Sequence, residues 1–322
     1  MGLVEGIEEL VQMDNPTVEI VECAYHMGYF EEAAAAAEKV AVSGTALTRM
    51  VALCLGVYAY LAMGDAAACN KTLNLAVEAC QEGVSQPDPF LHNMAIVCVR
   101  MLEDATSLEF EGSPKWNGAL EDMPRGLQAY CGFQMAYRML LRGNDQQAIG
   151  MVRAFQALAG SRYPVSYVKL RLVAASAYLR LGYPEEATEE FDEAWRVAEP
   201  LGIVGPFVEM NPCLPGLARH CLHGKDEAMY KALRAMICRH REGWHELRRR
   251  RRYPVQGQNL SALEYSTTAL VAWGWTNREI ANYMGISENT VKHYLTNAYQ
   301  KLGLKNRSQI IQAFSKGGVR PE

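Results

Sequence analysis

Asn289, Lys292, His293, Thr296 and Gln300 recur on one side of a segment whose other side carries Val291, Leu295, Ala298 and Leu302. This i, i+4, i+7, i+11 stripe predicts an amphipathic helix with short polar and basic side chains near its start. Amide, ammonium, imidazole and hydroxyl groups so placed can hydrogen-bond base edges in the major groove of DNA. A solvated helix face would carry similar residues, and for His293 in particular an exposed histidine without a partner is an open reading. What precedes the segment favours the groove reader. Ile280, Ala281 and Met284 line a short helix, Gly285 sits where the chain must turn with positive φ, and Ile286 plugs the turn. A small residue, a glycine and a β-branched residue at this spacing let two short helices cross closely.

Other chemistry-bearing residues point less sharply. Cys213, His220, Cys221, His223, Cys238, His240 and His245 gather soft ligands, but their spacing matches no zinc pattern, so core cysteines with surface histidines are expected and no metal. Tyr25, Tyr29, Tyr58, Tyr60, Tyr130, Phe133 and Tyr137 stand at helical spacing and read as core, with a ligand cage as the alternative. No Ser–His–Asp or Cys–His arrangement can be argued from spacing. No GxxxxGK[ST] loop occurs, so ATP hydrolysis is not expected, and no catalytic residue or cofactor is assigned. Five arginines, Arg248 to Arg252, leave two readings open: a solvated helix end suited to the C-terminal dipole, or a phosphate-contacting patch.

The elements that must position these groups are marked by punctuation. Ser261 with Glu264 and Thr276 with Glu279 are capping boxes; Ser287 is a cap with Glu288 in the first turn, and Asn306 with Gln309 starts a fourth helix. Gly274, Gly285, Gly303 and Gly317 close the four runs. Upstream, Pro254 and Gly257 disfavour helix, which predicts a linker over 251–259 between a body of 1–250 and a domain of 260–322. Charge divides the same way: residues 1–247 carry −12 and residues 248–322 carry +8, within a net −4. An acidic body with a basic end is expected when one domain meets nucleic acid and the other does not.

From Leu260 to Ile311 the chain resembles the LuxR-type helix-turn-helix of bacterial transcription regulators. The matching signature is Gly274-Trp275-Thr276-Asn277-Arg278-Glu279-Ile280-Ala281, then Ile286-Ser287-Glu288-Asn289-Thr290-Val291-Lys292-His293-Tyr294-Leu295, then Tyr299 to Gly303 and Asn306-Arg307. The family's opening Leu-Thr-Pro-Arg-Glu survives as Leu260, Ser261 and Glu264, and Thr267 and Thr268 stand where its first helix is apolar. The resemblance implies a recognition helix over 288–301, with Lys292, His293 and Thr296 at base edges. It implies that Ser287, Asn289, Thr290, Asn297, Lys301 and Arg307 hold phosphates, with Thr276 and Asn277 also against DNA. It further implies a homodimer on double-stranded DNA, joined through the last helix at about Arg307 to Ser315, with RNA polymerase as a candidate partner.

The body shows an internal register. Glycines 28, 64, 143, 182 and 224 each follow an apolar run, and positions five, nine and twelve further on are apolar in all five cases. The sets are Ala33, Ala37, Val40; Cys69, Leu73, Ala76; Ala148, Val152, Phe155; Ala187, Phe191, Ala194; and Met229, Leu233, Met236. A gap of 79 between Gly64 and Gly143 fits two units with a degenerate one between. Each glycine is read as the turn of a helical hairpin, and such hairpins cover their apolar faces only by stacking. The pattern resembles tetratricopeptide repeats, most clearly over Tyr178 to Ala187, and Leu201 to Glu209 looks like the connector of large ATP-dependent LuxR regulators.

The expected fold is therefore all-α: a tetratricopeptide-like α-solenoid followed by a four-helix LuxR-type helix-turn-helix domain, with about a dozen helices before residue 259. A small molecule or protein effector is expected at the solenoid. An alternative is a helical scaffold anchored non-specifically to DNA by its basic end. The composition, 49% hydrophobic and 21% charged, suits a sizeable core. The longest apolar stretch, Val51 to Met63, is shorter than a bilayer span, and Glu5, Glu8 and Glu9 stand where an export signal is basic. Nine scattered cysteines without a CxxC pair read as small buried hydrophobes. A cytoplasmic location and no membrane contact are expected.

Overall fold

The computed structural model describes residues 16–108, 110, 123–251 and 260–315; the expected linker from 252 on, Gly317 and the N-terminal glutamates lie outside them. The described residues contain sixteen α-helices and no strand, twelve helices before residue 259 and four after it. In chain order they are α1 Val18–His26, α2 Phe30–Ser43, α3 Ala46–Met63, α4 Ala66–Val84, α5 Pro89–Thr106 and α6 Arg125–Leu141. There follow α7 Asp145–Ala159, α8 Pro164–Leu181, α9 Pro184–Ala198, α10 Gly205–Glu209, α11 Leu217–Leu222 and α12 Glu227–Arg250. The last four are α13 Ala262–Ala272, α14 Asn277–Met284, α15 Glu288–Leu302 and α16 Arg307–Ser315. The chain divides into two units, one of residues 1–131, 199–209 and 236–252, the other of 132–198, 210–235 and 253–322.

In the first unit, α1 to α5 pack in succession as helical hairpins. Gly28 and Gly64 turn with φ of 86° and 80°, as the sequence register requires. The stripes that follow them on α2 and α4 are all buried. The intermediate turn, which the register leaves without a glycine, is made by Ser107 at φ 53°. Its stripe positions, 112, 116 and 119, lie outside the described residues. Helix α3 is the core: Ala52, Cys54, Val57, Ala59, Leu61 and Ala62 are wholly inaccessible. It is long and apolar enough to cross a membrane by length and composition, at a mean hydropathy of 1.6, and most of it is buried within the fold.

The arginine run divides: Arg249 and Arg250 lie exposed at the end of α12, as the solvated-end reading expects, Arg248 and Arg251 are drawn into the fold, and Arg252 lies outside the described residues. Arg248 is buried, lies 4.9 Å over the Trp244 ring and donates to the Ser107 carbonyl, capping the one non-glycine left-handed turn among the described residues. Arg249 and Arg250 pair with Glu246, and Arg251 donates to Asn70, 2.8 Å away, and to Asn74. The C-terminal half of α12 thus staples the α3–α4 hairpin. It crosses so close that a Cβ at Gly243 would lie 2.7 Å from the Leu61 carbonyl oxygen. Of the seven aromatics, Tyr25, Tyr58, Tyr60 and Phe133 are buried and Tyr29, Tyr130 and Tyr137 half-buried; Tyr25 meets Phe30 at a tilt and Tyr58 edge-on, both at 5.6 Å, and the Tyr58 hydroxyl donates to the Met101 carbonyl.

In the second unit, Gly143, Gly182 and Gly224 turn at φ 80°, 84° and 84°. The stripes after the first two are buried along α7 and α9. After Gly224 only Leu233 is buried; Met229 is half-buried here, as is Met236 in the first unit. The helix before that turn, α11, has six residues, too few to cover a full stripe. Arg180 ties adjacent hairpins together, donating to the Leu140 carbonyl at 2.7 Å and pairing with Asp145 at 3.1 Å.

The Cys/His segment is divided: Cys213, His220, Cys221 and His223 belong to the second unit, Cys238, His240 and His245 to the first. No group of three or more His, Cys, Asp or Glu among the described residues is placed to hold a metal ion. All nine cysteines are free and seven are buried; Cys23 is exposed and Cys238 half-buried. His240 departs from the expectation of surface histidines, since it is buried and burial pushes its imidazole down to about 4.

Candidate nucleic-acid interface

Local chemistry builds the four C-terminal helices. The Ser261 hydroxyl accepts the Glu264 N–H at 3.2 Å, and the Glu264 carboxylate accepts the Ser261 N–H at 2.6 Å, closing the first capping box. Thr276 and Glu279 close the second, the Thr276 N–H reaching the carboxylate at 2.6 Å. That backbone bond and the Thr276 hydroxyl hold the Glu279 carboxyl below its ordinary value. Thr267 and Thr268, polar where the family is apolar, are fully buried all the same. The Thr268 hydroxyl donates to the Glu264 carbonyl, and that of Thr267 to the Met284 sulfur.

The turn forms as its residues require. Ile280, Ala281 and Met284 are buried, and Gly285 takes φ 61°. Nothing crowds that glycine, so its need is conformational: an L side chain would be strained there. Ser287 caps α15 by accepting the Thr290 N–H at 3.1 Å. Val291, Leu295 and Ala298 are buried and Leu302 half-buried, while Asn289, Lys292, His293, Thr296 and Gln300 are exposed along the other face.

Several polar groups have local partners that spacing alone does not reveal. The Thr296 hydroxyl donates to the Lys292 carbonyl at 2.9 Å, and Asn297 meets the His293 ring at 3.2 Å. Ser287 and Thr290 share a hydroxyl bond at 2.8 Å. Lys301 pairs with Glu264 at 2.7 Å, tying the end of α15 to the start of α13. Burial pushes the Glu264 carboxyl up, but the Lys301 ammonium and the Ser261 N–H and hydroxyl outweigh it and hold it below its ordinary range. Arg307 donates to the Trp275 carbonyl and, at 3.4 Å, to Asn277, so the start of α16 is pinned to the start of α14. Asn306 caps α16 by accepting the Gln309 N–H at 3.0 Å; Gln309 accepts from Lys305 instead of completing a box with Asn306. Thus Lys292 and Asn289 stand on an open face with no side-chain partner among the described residues, whereas Lys301, Arg307 and Asn277 also hold the domain together.

Two residues outside the four C-terminal helices support this domain, one of them, His220, from the Cys/His segment. Arg219 and His220, on α11, hydrogen-bond the Met284 and Tyr283 carbonyls at 2.9 Å and 2.7 Å. These are end carbonyls of α14, which no intrahelical N–H can reach. The His220 ring stacks on Tyr283 at 4.9 Å. Nothing in the spacing of residues 63 and 65 positions apart signals these pairs.

Residues 258–314 match the family described as bacterial regulatory proteins, luxR family. Over 54 residues, 17% of this chain, the sequence is 48% identical to the probable transcriptional regulatory protein SgaR of Hyphomicrobium methylovorum, covering 26% of that protein. Over 66 residues, 20% of the chain, it is 42% identical to the HTH-type transcriptional activator RamA of Corynebacterium glutamicum, covering 24% of it. A longer, more distant likeness runs over 263 residues, 80% of the chain. It is 26% identical to the putative HTH-type transcriptional regulator Rv0890c of Mycobacterium tuberculosis and covers 25% of that protein. The chain spans about a quarter of the length of these relatives. No solved structure matches it. The chain therefore carries a C-terminal LuxR-type helix-turn-helix domain within an all-helical fold.

Proposed function

We propose that this chain is a sequence-specific, DNA-binding transcription regulator. The observation that carries the reading is the exposed polar face of α15, capped at Ser287 and backed by Val291, Leu295 and Ala298. A helix of this kind enters a major groove with its N-terminal turns against base edges. Lys292, His293 and Thr296 are assigned to base edges. Ser287, Asn289, Thr290, Asn297, Lys301 and Arg307 are assigned to phosphates, with Thr276 and Asn277 beside them. The division of labour is a helical-repeat sensor over 1–250, a linker over 251–259 and a DNA-binding domain over 260–322.

A small molecule or protein effector at the helical repeat controls the activity, and the protein binds DNA as a homodimer through α16, where Ile311 is exposed. It acts in the cytoplasm with RNA polymerase, a role supported by the naming of RamA as an activator. The relatives are named as regulators, not enzymes, and no catalytic role is assigned. A scaffold anchored by its basic end has less support, because Arg248 and Arg251 are engaged within the fold and Arg249 and Arg250 pair with Glu246. Competition binding decides between the two. Selection from random DNA should yield a site preferred by roughly 10³-fold or more over bulk DNA, whereas equal binding to all sequences would refute regulation by operator choice.

A further inference from the structure

Within the second unit, the Gly182 turn of the α8–α9 hairpin and the first helices of the DNA-binding domain enclose a cleft of about 700 Å³. That volume is in the range of small-molecule sites. One wall is a continuous aromatic surface: Trp275 meets Tyr283 edge-on at 5.2 Å, and Tyr283 stacks on His220 at 4.9 Å. Trp273 also lines the cleft. Trp275 and Tyr283 are over nine-tenths buried, yet Trp275 Nε1 and Tyr283 Oη have no hydrogen-bond partner.

The charges of the walls specify the ligand class. Glu185 is exposed in the first turn of α9 and pairs with no cation among the described residues. Glu279 is exposed and held by Thr276 in a form that stays ionised. The one guanidinium lining the cleft, Arg180, is committed to Asp145 and the Leu140 carbonyl. An aromatic wall facing the unpaired Glu185 and Glu279, the latter partly offset by the Arg307 guanidinium, attracts an organic cation through the ring quadrupoles and through charge. An anion would meet net repulsion.

We propose that this cleft is a binding site for a small organic cation, an amine or quaternary ammonium. The inference names the place and chemistry of the effector in the proposed function, and it rests on that reading. His220 gives the site its leverage, since it lines the cleft and also binds the Tyr283 carbonyl that holds α14.

The test titrates the full chain with choline and with its uncharged isostere 3,3-dimethylbutan-1-ol, following tryptophan fluorescence. Choline should give a saturable change at a concentration at least about tenfold lower than the alcohol, the difference expected of a partly desolvated cation over aromatic rings. Glu185→Gln, an exposed change that leaves the fold intact by circular dichroism, should weaken choline about three- to tenfold and leave the alcohol unaltered. Equal binding of the two probes, no saturable response to choline, or unchanged choline binding by Glu185→Gln would each overturn the proposal. Choline binding is read without DNA and operator binding without choline, so failure of the site and failure of the regulator reading are separately visible.

Discussion

Breaking the Lys301–Glu264 pair tests whether α15 is held by its own stripe alone or also by its last turn. The ammonium is 40% exposed and the carboxylate side chain only 6%, at 2.7 Å. A fully exposed pair contributes about 0–1 kcal/mol, and stranding a fully buried charge costs about 3–5 kcal/mol. With one partner in each class, and with the Ser261 N–H still bonded to Glu264, Lys301→Ala should cost about 1–2 kcal/mol. Amide hydrogen exchange over 260–302 in the full chain reads this as a roughly 5- to 30-fold rise in opening. Glu264→Gln should cost a similar amount, and the double variant little more than either, giving a coupling near 1 kcal/mol. The pH dependence has a fixed sign. Because the folded carboxyl lies below its unfolded value, the contribution is whole above about pH 4.3 and is lost as pH falls through the folded pKa. Additive single-variant effects, or a Lys301→Ala penalty unchanged once Glu264 is protonated, would refute the reasoning.

Further outcomes follow from particular residues. Lys292→Ala should cost about 1–3 kcal/mol on the preferred site and flatten discrimination at one base position, measured against single-base changes of that site. Gly243→Ala forces a methyl to within 2.7 Å of the Leu61 carbonyl oxygen and should destabilise the first unit by about 1–3 kcal/mol in urea unfolding. Gly150→Ala, mid-helix in α7 with nothing within 4 Å, should instead stabilise by about 0.5–1 kcal/mol. His240 is neutral when folded down to about pH 4, so the unfolded chain takes up its proton first as pH falls below about 6.5. Stability should therefore decline between those values by on the order of 3 kcal/mol, and His240→Phe should remove that slope.

Features set by neighbours in sequence were legible before the structure. The five glycine turns, the capping boxes at Ser261 and Thr276 and the polar face of α15 each depend on a handful of adjacent residues. What was illegible depends on distant partners. Arg248 reads as a surface charge until Ser107, 141 residues away, supplies its acceptor, and the tie of Lys301 to Glu264, 37 residues apart, is not signalled by either residue's neighbours. Ser107 itself escaped the register because the rule sought glycine, whereas a buried guanidinium on its carbonyl helps hold the left-handed turn. His220 reads as a surface histidine and Arg219 draws no reading at all, because their partners are backbone carbonyls that carry no sequence signal.

The staple made by the end of α12 has a consequence for the order of synthesis. Tyr25 waits for Glu209, the Gly64 turn for Gly243, and Asn70 for Arg251, 181 residues later. A nascent chain emerging from the ribosome can form its first hairpins early, but their outer face stays bare until residue 251 appears. Long-range closure of this kind slows folding and leaves apolar surface exposed to chaperones in the interval. A fragment ended at residue 235 would carry the whole α1–α5 array and lack the strap that finishes it, so trimming this chain just after its repeats should yield an aggregating product.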